Sequence, residues 1–188
     1  MSGRGRTQLL LVALAFAGPL LVAAWLYFGG AGAWQPAGRS NHGAILEPIV
    51  SLREAVPASP LGAVNEDHWV MLYANDGECT EACREALYRL RQSRLMLGND
   101  MSRVRRVFLH GDETPDTVFL EQQHAGLITI KDKRLDGLLA SKIPAGLVPG
   151  GIFLIDPLGN LVMYFAPGIA PRDMVDDISH LLELSRIG

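Results

Sequence analysis

Apolar residues along this chain change their period several times, and each change marks an element. Gln8 to Phe28 carries no charged residue, and at about 20 residues it is long enough to cross a hydrocarbon core roughly 30 Å thick. Trp69-Val-Met-Leu-Tyr-Ala74 is a short continuous apolar run and predicts a buried strand. Ala82 to Leu97 returns to helical spacing. Val104 to His110 predicts a second strand. After it, Thr114-Pro115 offers an N-cap residue and a proline at the first helical position for a helix running toward His124. Leu127 to Ile130 predicts a short strand and Asp132 to Ser141 a short helix. Gly151 to Asp156 and Leu161 to Ala166 are apolar runs separated by Pro157-Leu-Gly-Asn160, the pattern of a hairpin. The last predicted element is a helix with Pro171 in its first turn. Asp173 suits its positive end, and Met174, Val175, Ile178, Leu181 and Leu182 share one face.

Two stretches lack such periods. Gly29 to Ser40 is rich in Gly, Ala and Pro and predicts a tether reaching at most about 40 Å. Asn41 to Asn65, punctuated by Pro48, Pro57 and Pro60, predicts an irregular arm packed on the domain, with a short helix near Leu52. The order strand, helix, strand, helix, then a hairpin and a final helix, predicts an α/β fold, a thioredoxin-like mixed sheet with flanking helices, preceded by one transmembrane helix. The expected division is residues 1–7 as a cytoplasmic amino terminus and 8–28 as the transmembrane helix. Residues 29–65 are the tether and irregular arm, and 66–188 the thioredoxin-like extracytoplasmic domain.

Charge narrows the surroundings. The 188 residues carry a formal charge of -3, and no basic tail or patch suggests nucleic acid; Arg103, Arg105 and Arg106 read as the polar face of a strand. Arg4 and Arg6 precede the apolar segment with no acidic residue among them. The positive-inside rule then keeps the amino terminus in the cytoplasm, for a single-pass protein of the inner (cytoplasmic) membrane with its carboxyl-terminal domain in the periplasm. Ala31-Gly32-Ala33 matches a cleavage site, but the apolar run before it is longer than a signal core, so a retained anchor is expected.

Cys79 and Cys83, the only cysteines, lie between the first domain strand and its helix, in a compartment that favours disulfides. Helical i,i+4 neighbours sit about 5 to 6 Å apart between Cβ atoms, whereas a disulfide needs about 3.8 Å, so a bond requires Cys79 to lie in the loop. Two separate thiolates could instead bind Cu(I), a soft ion. The helix end favours thiolates, while Asp76, Glu78 and Glu81 oppose them with only Arg84 in compensation. A bridge across so short a loop removes little chain entropy, which makes stability a poor reason for the pair. Thiol exchange, Cu(I) capture and a structural disulfide all remain open at this point.

These residues resemble the SCO/SenC family, membrane-anchored thioredoxin-like proteins that handle copper and thiols during cytochrome c oxidase assembly. The resemblance rests on the amino-terminal anchor and on Cys79-Thr-Glu-Ala-Cys83 after the first domain strand. Leu109-His-Gly-Asp-Glu-Thr-Pro115 and Ile155-Asp-Pro-Leu-Gly159 add to it. It implies Cu(I) as the ion handled, an oxidase subunit or another assembly factor as partner, and Cys79 and Cys83 as metal ligands. The family's ligand histidine would fall just before the hairpin, where this chain has Leu147-Val-Pro-Gly150; Val148-Pro149 there resembles the cis-proline turn that faces the cysteines in thioredoxins. His110 is the candidate third ligand, because a parallel strand beside the first ends on the same sheet edge. His124 is expected to meet a helix dipole at a helix end, and His42, His68 and His180 to be surface residues without ligand spacing.

The expected function is a membrane-anchored extracytoplasmic thiol or copper-handling factor in oxidase assembly. If it is an enzyme, it is a thiol-disulfide oxidoreductase in which Cys79 attacks, Cys83 resolves and Pro149 shapes the partner groove. The alternative is a non-catalytic thioredoxin-like binding module whose disulfide is structural.

Overall fold

The uncharged stretch and the arginines before it form one helix, α1 (Gly3–Phe28), with Pro19 inside it and with Leu9, Leu14, Phe16 and Leu20 exposed. It is long and apolar enough to cross a membrane once. The computed structural model describes residues 3–28, 41–76, 78–113 and 115–185, and the chain divides into two units, 1–40 and 41–188. The expected tether and the Ala31-Gly32-Ala33 site lie outside the described residues.

The second unit is a mixed sheet covered on both faces. Its strands are β1 (Ala44–Ser51), β2 (Trp69–Asn75), β3 (Val104–His110), β4 (Leu127–Lys131), β5 (Ile152–Ile155) and β6 (Asn160–Phe165), in the order β1-β6-β5-β2-β3-β4. β2, β3 and β4 run parallel, β5 lies antiparallel to β2, and the expected hairpin turns β6 back antiparallel to β5. The Asp156 carboxylate ties that turn by accepting from the backbone N–H groups of Leu158 at 2.9 Å and Asn160 at 2.8 Å.

Alternation along β2 sends Trp69, Met71 and Tyr73 to one face and Val70 and Leu72 to the other. The first face packs beneath α4 (Glu81–Met96), through Leu87 and Leu90, and α7 (Pro171–Leu184), through Met174, Ile178 and Leu182. The second is covered by α6 (Lys133–Ala140), through Leu135 and Leu139, and by two single turns, α2 (Leu52–Ala55) and α3 (Leu61–Val64). The remaining helix, α5 (Thr117–Gln123), connects β3 to β4.

Two expectations need correction. The stretch read as an irregular arm supplies β1, which pairs antiparallel with β6 at an outer edge. Pro48 and a register shift between Ile45 and Val50 break its alternation, and only an edge strand, whose second side needs no ladder, tolerates them. Its start is held from the opposite end of the sequence. The buried Asp177 carboxylate on α7 accepts the backbone N–H groups of His42 at 3.1 Å and Gly43 at 2.7 Å. A Cβ at Gly43 would collide with Met163 and Phe165. The second correction concerns α5, whose N-cap is Asp116, its carboxylate accepting from Phe119 N at 3.0 Å. Thr114 lies outside the described residues.

Candidate functional site

Cys79 stands in the loop after β2, and α4 begins two residues later with Thr80 in extended geometry as its N-cap. That placement meets the condition for a bridge: Cys79 and Cys83 form a disulfide with Cα atoms 5.1 Å apart. The two sulfurs are not equivalent. Cys83, on the inner face of α4, is 1% exposed and belongs to the core with Leu87, whereas Cys79 is half-buried at the surface. Backbone links fix the loop, with Thr80 N donating to Glu78 O at 2.9 Å and Arg84 N to Thr80 O at 3.0 Å.

β3 ends beside β2, with His110 opposite Asn75, so its last residue arrives at the cysteine edge. His110 and Cys79 line one cleft of about 250 Å³ together with Glu78, Arg84, Glu113 and Asp116. The His110 ring lies 6.2 Å from that of Phe108, and its Nδ1 is 3.0 Å from Gly111 O. Gly111 lets the two strand ends approach, because a Cβ there would run into the carboxylate and carbonyl of Asp76. The following turn is braced by Asp112, paired with Lys131 at 3.1 Å and with Lys133, and the two ammonium groups hold its carboxyl below the usual range.

Charge in the cleft is predominantly negative, with three carboxylates against Arg84, and Arg84 is directed over the Phe119 ring at 4.6 Å. The reduced pair would therefore face an environment that attracts cations and disfavours thiolates.

Pro149 is placed differently. β5 begins opposite the end of β2, with Ile152 against Tyr73, which brings the loop before it to the same sheet end. Pro149 is exposed, beside a 63% exposed Val148, and is not among the residues lining the cleft. The likeness to a cis-proline turn left the isomer of Val148-Pro149 undecided, and the bond is trans, the form X-Pro bonds ordinarily favour; among the described residues Glu47-Pro48 is the cis peptide bond. Tyr164 holds this loop from below, its hydroxyl donating to Val148 O at 2.6 Å and accepting from Gly151 N at 2.9 Å.

Two further readings change. His124 caps the end of α5 at only 4% exposure, its ring 5.0 Å from that of Phe119. Burial first, then Arg106 and Arg91, push its pKa down, so it sits there as a neutral ring and not as a cation on a helix dipole. Arg103, which ends the turn before β3, and Arg105 and Arg106 within it do not share a solvated face. Arg103 donates to Leu182 O and Ser185 O at the end of α7, Arg105 donates to Val64 O, and Arg106 is 4% exposed. A buried arginine gives no signal in the sequence beyond its place in an otherwise apolar strand.

Solved structures share this architecture. Apo Sco1 of Thermus thermophilus aligns at 16% identity with a TM-score of 0.55, over 77% of this chain and 99% of that one. Copper-bound ScoI of Arabidopsis thaliana gives 15% and 0.53, over 66% and 89%, and copper-bound yeast Sco1 gives 16% and 0.52, over 66% and 81%. At such identities the likeness is one of fold, a thioredoxin-like mixed sheet with flanking helices. No curated protein matches the sequence. The family model for the transmembrane-like, thioredoxin-like, C-terminal domain matches residues 69–185, more than half of the chain, and the protein belongs to that family.

Proposed function

We propose that this protein is a membrane-anchored factor of the inner membrane that exchanges thiols and disulfides in the periplasm during cytochrome c oxidase assembly. The observation that carries it is the asymmetry of the Cys79–Cys83 bridge, one sulfur in a cleft and the other buried behind it. In the reduced form the Cys79 thiolate attacks a partner disulfide, forming a mixed disulfide and releasing one partner thiolate. Cys83 then attacks the Cys79 sulfur, closing the internal bridge and releasing the second partner thiolate. The partner gains two electrons and this chain loses two; an external dithiol must restore it. Pro149 belongs to the exposed loop at the same sheet end and would border the bound partner.

His110 favours a second cargo. Its presence in the cleft with Cys79 supplies a nitrogen donor on the same cleft as that sulfur, with Cys83 buried behind it, a set suited to Cu(I) as substrate. That the structural neighbours include Sco1 proteins solved with copper supports this reading.

Redox titration of the full chain in detergent tests the assignment. The expected potential lies above about -300 mV, and a Cys83→Ser variant should trap a partner through Cys79. A potential below that value, or trapping through another residue, would leave a non-catalytic binding module with a structural disulfide. Cu(I) titration of the reduced chain should show binding that weakens in His110→Ala.

A further inference from the structure

A second polar site lies on the other half of α4. A pocket of about 180 Å³ is lined by Arg91 and Arg94 of α4, Arg106 of β3, and Gln122 and Gln123 of α5, with no acidic residue among its lining. Arg106 enters it from the core side. Its Nη2 donates to Ala125 O at 2.6 Å, but Nε and Nη1 are buried with no acceptor. A buried cation without a counter-charge is expensive, and here Arg94 and Arg91 add repulsion. Burial first, then those two neighbours, lower the Arg106 pKa to about 10, which leaves it charged at neutral pH. Arg94 spends one donor on Val104 O at 2.7 Å, whereas Arg91 is exposed and makes no hydrogen bond or ion pair among the described residues.

We propose that this pocket binds a phosphoryl oxyanion held by Arg91, Arg94 and Arg106. Three guanidinium forks arriving from two elements exceed what one planar carboxylate can accept, while a tetrahedral oxyanion presents acceptors in several directions. The negative end of the α4 dipole works against an anion here, but it amounts to about half a charge against three full ones. Arg91, Gln122 and Gln123 are exposed and line the pocket that Arg106 also lines. The site is independent of the cysteine chemistry.

The oxyanion could come as free phosphate or as a phospholipid headgroup, and one experiment separates them. The full chain in a neutral detergent is titrated with inorganic phosphate, with dihexanoyl phosphatidylglycerol and with dihexanoyl phosphatidylcholine, chloride holding ionic strength constant. Saturable binding of phosphate, or of phosphatidylglycerol in preference to the choline lipid, is expected. It should weaken at least tenfold in Arg91→Ala, disappear in Arg91→Ala with Arg106→Gln, and be unchanged in Arg172→Ala, which lies outside the pocket. Binding no better than that of chloride, binding unaffected by Arg91→Ala, or equal weakening by Arg172→Ala would overturn the proposal.

Discussion

The two ends of α4 carry opposite chemistry. Glu81 and Glu85 lie near its amino terminus and Arg91 and Arg94 near its carboxyl terminus, the distribution that stabilises a helix macrodipole at both ends. At the cysteine end, however, the carboxylates gathered from two connections, Glu78 before α4 and Glu113 and Asp116 before α5, exceed what a dipole needs and set a cation-friendly field around Cys79. At the far end Arg106 arrives from β3, buried and short of acceptors, where the helix gains nothing from it. Helix electrostatics accounts for Glu81 and Arg94. It does not account for a bridge in a negative cleft or for a third, buried arginine, and those departures are where the two proposals place their ligands.

The largest blow to both ends at once should come from Leu87→Ala, since Leu87 is fully buried midway along α4. A loss of about 3 kcal/mol is expected from the transfer and cavity contributions together, read from urea unfolding of the full chain by the fluorescence of buried Trp69. A loss below about 1 kcal/mol would mean that α4 is not anchored by this core. Reducing the disulfide should cost less, on the order of 2 kcal/mol, because the closed loop spans a separation of only four residues. It should leave phosphate titration at the arginine pocket unchanged; coupled losses would join the two ends into one site.

The smallest effect concerns pH. The folded His124 pKa lies below its usual 6.5, so as pH falls through 6.5 the unfolded chain takes up a proton first. Stability from this group is complete above about pH 6.5 and is lost as pH falls from there through the depressed folded value. His124→Gln should flatten the stability profile there. An unchanged slope would assign the pH dependence to another group.

Much of the sheet was legible because its central strands are apolar runs bounded by polar turns. Val104–His110 stands out to the residue, and Pro171, expected in the first turn of the last helix, is its first residue. β1 was hidden because Pro48 and the bulge erase its period, and its pairing is tertiary. Asp116 displaced the Thr-Pro signal as the cap of α5, since its carboxylate is the acceptor that Phe119 N meets. For the site, spacing and placement were enough to single out the cysteine loop, and parallel pairing put His110 beside it. The trans geometry at Pro149, the buried neutral state of His124 and the isolation of Arg106 depend on contacts between distant segments, which no local pattern records.

The grip of Asp177 on the His42 and Gly43 amides has a mechanical side. Tension applied to the chain from before residue 41 is delivered first to the carboxyl-terminal helix and then to the β1–β6 border. Strands β2 and β3, which carry the cysteine loop and His110, are separated from that border by β5. A pull from that side would therefore load the sheet's outer edge before the strands beside the cysteine loop. The other route by which it could reach the bridge is α7, packed in one core with Cys83 and Leu87 of α4.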